Sequence, residues 1–198
     1  VVIACNTASS VAYHALQKNY SIPLFDVVSP SVEFAIQKSK TKNIGVIGTI
    51  TTVSSKAYSQ QFSDKNADFF VHEISCPLFV PIIEEGWADT SIAREIANIY
   101  LQEFKEKNID TLILGCTHYP IMANIIRSVL PVHVRLVFSG ETVGQKLFHY
   151  LNENKLINAS TSHGHVDFYV SDFPQKFEDL GSQFFGRKLN NITHVPFF

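Results

Sequence analysis

The chain holds only three cysteines in 198 residues, Cys5, Cys76 and Cys116, and an odd, sparse set does not make a disulfide framework. No CxxC pair and no Cys/His spacing of the zinc type occurs, so no metal is expected. No apolar run approaches the roughly 18 residues that span a bilayer. No Lys/Arg-rich patch precedes an apolar one, as it would in a targeting segment. Sixteen Lys and Arg stand against eighteen Asp and Glu with no basic block, which argues against nucleic acid as a partner. Neither nucleic acid nor a membrane is expected to bind. Gly45 and Gly48 make GVIG, without the GxGxxG spacing of a dinucleotide site. GxSxG is also absent, which leaves hydrolase chemistry without its nucleophile motif. Finally, there is no initiator Met, and Val1 falls inside a strand-like run, so a further N-terminal segment is expected before it.

What is present reads as a folded globular protein. The composition is 45% hydrophobic and 17% charged, which argues against disorder. The length suits one large domain or two small ones. Free thiols fit a reducing compartment, so a cytoplasmic location is expected. Strand-like runs alternate with helical ones almost throughout, predicting α/β architecture with parallel sheets. Strands are expected at 1–5, 23–28, 42–48, 67–74, 110–116, 134–139 and 165–171. Helices are expected from Ala8, where Val11, Ala12, Ala15 and Leu16 share a stripe and Thr7 can cap, and at 30–40, 51–63, 90–107, 119–129, 140–152 and 174–185. Residues 78–85 form a short apolar segment between the fourth strand and the helix at 90–107, and a weak strand ends the chain. SPSV (29–32) and SGET (139–142) are the expected crossing points between domains.

Two stretches stand apart. VVIACNTASS (1–10) and TLILGCTHYP (111–120) each run through aliphatic residues to a cysteine, reach a threonine within two positions, and lead towards a helix. Ligands of parallel α/β sheets gather beyond the carboxyl ends of the strands. Helix starts there favour negative charge, whether a thiolate or a bound carboxylate. Against this stands the plain reading of a free cysteine as a small buried hydrophobe. Two matched corners with polar residues after each weigh towards function. An enzyme acting on both mirror images of one α-carbon needs an acid–base group on each face, and two cysteines meet that demand. His118 could exchange a proton with Cys116.

ACNTAS (4–9) with LGCTHYP (114–120) resembles the aspartate/glutamate racemase superfamily, on its glutamate branch. IGVIGTITTV (44–53) and CPLFVPIIEEG (76–86) are similar to internal motifs of the family. FYVSDFPQKF (168–177) is similar to its C-terminal signature, with Ser171, Asp172 and Phe173 where the family usually has Ser-Gly-Asp. The resemblance implies two similar parallel-sheet α/β domains with the active site in the cleft between them. Residues 1–30 plus 141–198 would form the first domain and 31–140 the second. It further implies a cofactor-independent two-base racemase that interconverts L- and D-glutamate, in a bacterial cytoplasm, for peptidoglycan synthesis. A homodimer is one arrangement it allows.

By matching motif, Cys5 would serve the D-glutamate face and Cys116 the L-glutamate face. Asn6, Thr7, Thr117 and His118 match substrate-contacting positions, and His118 would also assist Cys116. Thr49 and Thr52 match a carboxylate-binding turn. Glu84 matches the acidic residue near the second cysteine, with Glu85 beside it. Two family motifs, Asp-Ser-Gly-x-Gly-Gly and a Pro-Tyr-Gly turn, do not occur here. A polypeptide truly beginning at Val1 would be expected to be a poorly active ligand-binding fragment. The alternative is another member of the superfamily, racemising aspartate or a hydantoin or decarboxylating a malonate, although His118 and the Thr49/Thr52 turn favour glutamate. Cys76 is expected to be structural, Trp87 to pack in the core or on the surface, and the pair His163 and His165 to form a polar loop rather than a metal site.

Overall fold

β-Branched and aliphatic runs that must hide both faces form the main sheet of the protein. The structure, a computed structural model, describes residues 1–65, 68–158, 160 and 164–196. It divides into two compact units, Val1–Ile157 and Asn158–Phe198.

In the first unit, β1 (Val2–Ile3) leads into α1 (Asn6–Asn19) and then β2 (Phe25–Asp26), which pairs parallel with β1. α2 (Val28–Lys38) precedes β3 (Asn43–Gly48), and two short helices follow, α3 (Ile50–Ser54) and α4 (Ala57–Lys65). Next come β4 (Phe70–Ser75), α5 (Phe79–Glu84), α6 (Ser91–Leu101) and β5 (Thr111–Gly115). α7 (Ala123–Val129), β6 (Arg135–Phe138) and α8 (Ser139–Glu153) complete the unit. The main sheet is wholly parallel, in the order β4-β3-β5-β6. β5 is buried along its whole length, and β3 at every residue after Asn43. On one face of this sheet Val28, Val32 and Ala35 of α2 and Tyr58 and Phe62 of α4 pack with Ile44, Val46, Ile113 and Val137. Full burial of each such side chain contributes on the order of 1.5–3 kcal/mol.

Asp110 fixes the start of β5. Its carboxylate accepts from the N–H groups of Lys40 (2.6 Å) and Thr41 (2.9 Å) and from the Thr111 hydroxyl (2.9 Å). Burial works to raise this carboxyl, but hydrogen bonds from Ser39, Thr41, Lys40 and Thr111 hold it down at about 2.

In the second unit, β7 (Phe168–Val170) pairs parallel with β8 (Ile192–His194), and α9 (Pro174–Phe185) joins them. α9 ends at Gly186, whose φ of 70° supplies the left-handed stop.

Several elements differ from the sequence expectation, each for a local reason. The strand at 23–28 stops at Asp26, because the Asp26 carboxylate accepts from the N–H groups of Val28 (2.9 Å) and Ser29 (2.8 Å) and starts α2. The helix at 51–63 is two helices, broken where Lys56 takes a φ of 57°. The helix at 90–107 gives way after Leu101 to a 3-10 turn, Gln102–Lys105, and the one at 119–129 begins as a 3-10 turn, Tyr119–Met122. The strand at 165–171 is only Phe168–Val170. Thr7 does not cap α1. The helix begins earlier, at Asn6, and Cys5 holds the cap position. Among the described residues no helix is long and apolar enough to cross a membrane.

Candidate active site

Both cysteine corners lie in the first unit, at the carboxyl ends of parallel strands. Cys5 follows β1 with extended backbone, and its Sγ accepts from the Ala8 N–H at 3.5 Å. The thiol is exposed. One residue into α1, Thr7 places its hydroxyl 2.9 Å from that of Thr49 and 3.0 Å from that of Thr52, and the last two are 3.0 Å apart. Thr49 caps α3 by accepting from the Thr52 N–H at 3.2 Å. A triangle of three hydroxyls therefore stands where α1 and α3 both begin. Such a group can accept and donate together, which suits a carboxylate with two oxygens.

Asn6 takes a different course. It is buried, and its Nδ2 donates to both Tyr58 Oη and Ser139 Oγ, at 2.9 Å each. Its Oδ1, also buried, accepts from no described residue.

The second corner is closed. Cys116 directly follows β5 and is 8% exposed. Burial pushes its thiol above the ordinary range; the backbone N–H of His118 draws it back, the nearby Cys5 pushes it up again, and the N–H of Tyr119 lowers it. Each thiol therefore lies within electrostatic reach of the other. Thr117 Oγ1 lies 3.4 Å from His118 Nδ1, and His118 Nε2 lies 3.3 Å from Glu84 Oε1, at the end of α5. Glu84 meets His118, whereas Glu85 is exposed.

The structure thus gathers Thr7, Thr49 and Thr52 at one corner and Thr117, His118 and Glu84 at the other, and joins Asn6 to a buried network. Sequence reasoning missed Tyr58 and Ser139, which hold Asn6. One signal was available: Gly115, just before Cys116, leaves room for a large neighbour. A Cβ there would lie 2.7 Å from the Ile47 carbonyl oxygen and 3.2 Å from Tyr58 Cε2.

Cys76 is fully buried, with burial raising its thiol far above the ordinary range, and its carbonyl accepts from the Tyr119 hydroxyl at 3.0 Å. Trp87 is 50% exposed. His165 pairs with Asp167 at 2.9 Å, while His163 lies outside the described residues. Among the described residues no group of three or more His, Cys, Asp or Glu side chains is arranged to hold a metal ion.

Comparison with known proteins shows the family of the chain. The family model for Asp/Glu/Hydantoin racemase matches residues 1–141, and the chain belongs to that family. Glutamate racemase from Geobacter metallireducens is 38% identical over 195 residues, covering 98% of this chain and 72% of that protein. Glutamate racemase from Chlorobaculum tepidum is 39% identical over 196 residues, with the same shares covered. Among solved structures, glutamate racemase from Francisella tularensis in complex with D-glutamate superposes with a TM-score of 0.90 at 37% identity, again over 98% of this chain and 72% of that one.

Proposed function

We infer that the chain is a glutamate racemase working by two bases without a cofactor. The observation that carries the reading is the pair of thiols at two strand ends of the first unit, one beside a hydroxyl triangle and the other beside a His–Glu pair. For L-glutamate, the Cys116 thiolate takes the α-proton, and the electron pair left behind spreads into the α-carboxylate. The Cys5 thiol then delivers its proton to the opposite face, leaving D-glutamate and a Cys5 thiolate. The reverse direction exchanges the roles. His118, steadied by Glu84, moves the proton that Cys116 must lose before it can act. Thr7, Thr49 and Thr52 receive the carboxylate where charge builds, and they act most strongly once water is excluded. Asn6 and Thr117 complete the substrate contacts.

The D-glutamate would supply peptidoglycan synthesis in a bacterial cytoplasm, with the enzyme acting alone or as a homodimer. The division of residues 1–30 and 141–198 from 31–140 belongs to the same proposal. The test is incubation with D- or L-glutamate in deuterium oxide, following the α-proton by NMR and the enantiomer by circular dichroism. Exchange and inversion of both enantiomers are expected. Inversion of aspartate but not glutamate would move the assignment to another branch of the family. A folded chain that inverts neither would sink the two-base reading.

A further inference from the structure

Tyr58 is a large polar side chain that the proposed chemistry leaves unused. It is fully buried in the core over the main sheet, yet its hydroxyl faces the two cysteine corners rather than the hydrophobic cluster. Two routes run from Asn6, the neighbour of Cys5. In the first, Asn6 Nδ2 donates to Tyr58 Oη, and the Tyr58 ring lies against Gly115, the neighbour of Cys116. In the second, Asn6 Nδ2 donates to Ser139 Oγ, which donates in turn to the Leu114 carbonyl at 3.0 Å, two residues before Cys116.

We propose that Tyr58 and Ser139 are positioning residues that clamp Asn6 and so fix the first turn of α1, with Cys5, against the end of β5, with Cys116. The proposal rests on the racemase reading. Burial holds the Tyr58 phenol well above its ordinary range against the hydrogen bond from Asn6, so it stays protonated and acts by geometry alone. Two-base inversion depends on such a clamp more than single-face chemistry does. A proton removed by one thiol is useful only if the other thiol stands opposite when the carbanion forms. When the second thiol is displaced, the first thiol exchanges its new proton with solvent and returns a deuteron to the same face. The result is labelled substrate of unchanged configuration.

Tyr58→Phe keeps the ring against Gly115 and removes only the hydroxyl, which is the acceptor for Asn6. In deuterium oxide, kcat for inversion is expected to fall about 10–100-fold, with KM changed by no more than about threefold. The ratio of retained exchange to inversion is expected to rise about tenfold, because misplacement costs the second proton transfer more than the first. A fold-level defect would lower both together and leave the ratio unchanged. Ser139→Ala should move the ratio the same way, and the double variant should fall short of the product of the two effects, since both act through Asn6. Amide hydrogen exchange gives a reading that needs no turnover: protection should drop at the first turn of α1 and at residues 115–116, and not in β6.

A folded Tyr58→Phe protein with the unsubstituted exchange ratio and unchanged protection at both corners would overturn the proposal. If Tyr58→Phe does not fold, Ser139→Ala decides by the same two readings. If the unsubstituted chain does not invert glutamate at all, the racemase reading fails, and the amide exchange still judges the clamp.

Discussion

The two cysteine corners share a sequence pattern and almost nothing else. Cys5 ends a strand of a two-stranded sheet, caps a 14-residue helix and is exposed. Cys116 follows an interior strand of a four-stranded sheet, leads into a tight turn and is buried. Around the first stand the hydroxyls of Thr7, Thr49 and Thr52. Around the second stand an imidazole and a carboxyl group, those of His118 and Glu84. A repeated motif therefore specifies where a thiol sits along a strand, while the sheet behind it decides how wet the thiol is and what can carry its proton. At the buried corner the His118–Glu84 pair is available for that task.

Changes at the thiols themselves should have the largest effect on this contrast. Cys5→Ala and Cys116→Ala are each expected to lower inversion by about 10⁴-fold, since each removes one of two obligatory proton carriers. Isotope labelling should then separate the corners. Cys5→Ala should still exchange the α-proton of L-glutamate with solvent, and Cys116→Ala that of D-glutamate. Exchange of both enantiomers by either variant would break the assignment of one thiol to each face.

A smaller effect, about 100-fold on kcat, is expected from His118→Asn, because the buried thiol loses its proton carrier and the exposed one does not. The primary isotope effect with α-deuterated L-glutamate should increase as removal by Cys116 becomes limiting, while that with D-glutamate should shrink. Equal changes for both enantiomers would place His118 outside the Cys116 corner.

The smallest effect is on pH dependence. Burial raises the Cys116 thiol, so at any pH below that raised value the thiolate fraction is small and grows with pH. The rate of α-proton removal from L-glutamate, followed by exchange in Cys5→Ala, should thus keep climbing, by up to about tenfold per pH unit, beyond the ordinary thiol value of about 8.5. A plateau below that value would show that the buried thiol is not the group being deprotonated.

Much of this arrangement was legible in the sequence, and the rest was hidden for identifiable reasons. The interior strands β3 and β5 announce themselves as unbroken aliphatic runs because both of their faces are covered. The polar residues after each cysteine could be picked out because small hydroxyls at strand ends have few other uses. The cap of α1 was misread because threonine is the commoner capping residue and cysteine a rare one, so Thr7 drew the assignment that Cys5 holds. The amide hydrogens of Asn6 go to Tyr58 and Ser139, which are 52 and 133 residues away in sequence. No local pattern reports partners at that distance. Nor does SSKA (54–57) contain the glycine or proline that would signal the break between α3 and α4.

That break has a consequence in helical phase. On one continuous helix, Thr52 and Tyr58 would be displaced by about 9 Å along the axis and about 120° around it. They could not then reach two adjacent residues of another helix. With Lys56 turning the chain at a φ of 57°, Thr52 meets Thr7 while Tyr58 meets Asn6. One left-handed residue thus resets the angular count, so that a short stretch of chain grips neighbouring side chains of α1 from two directions at once.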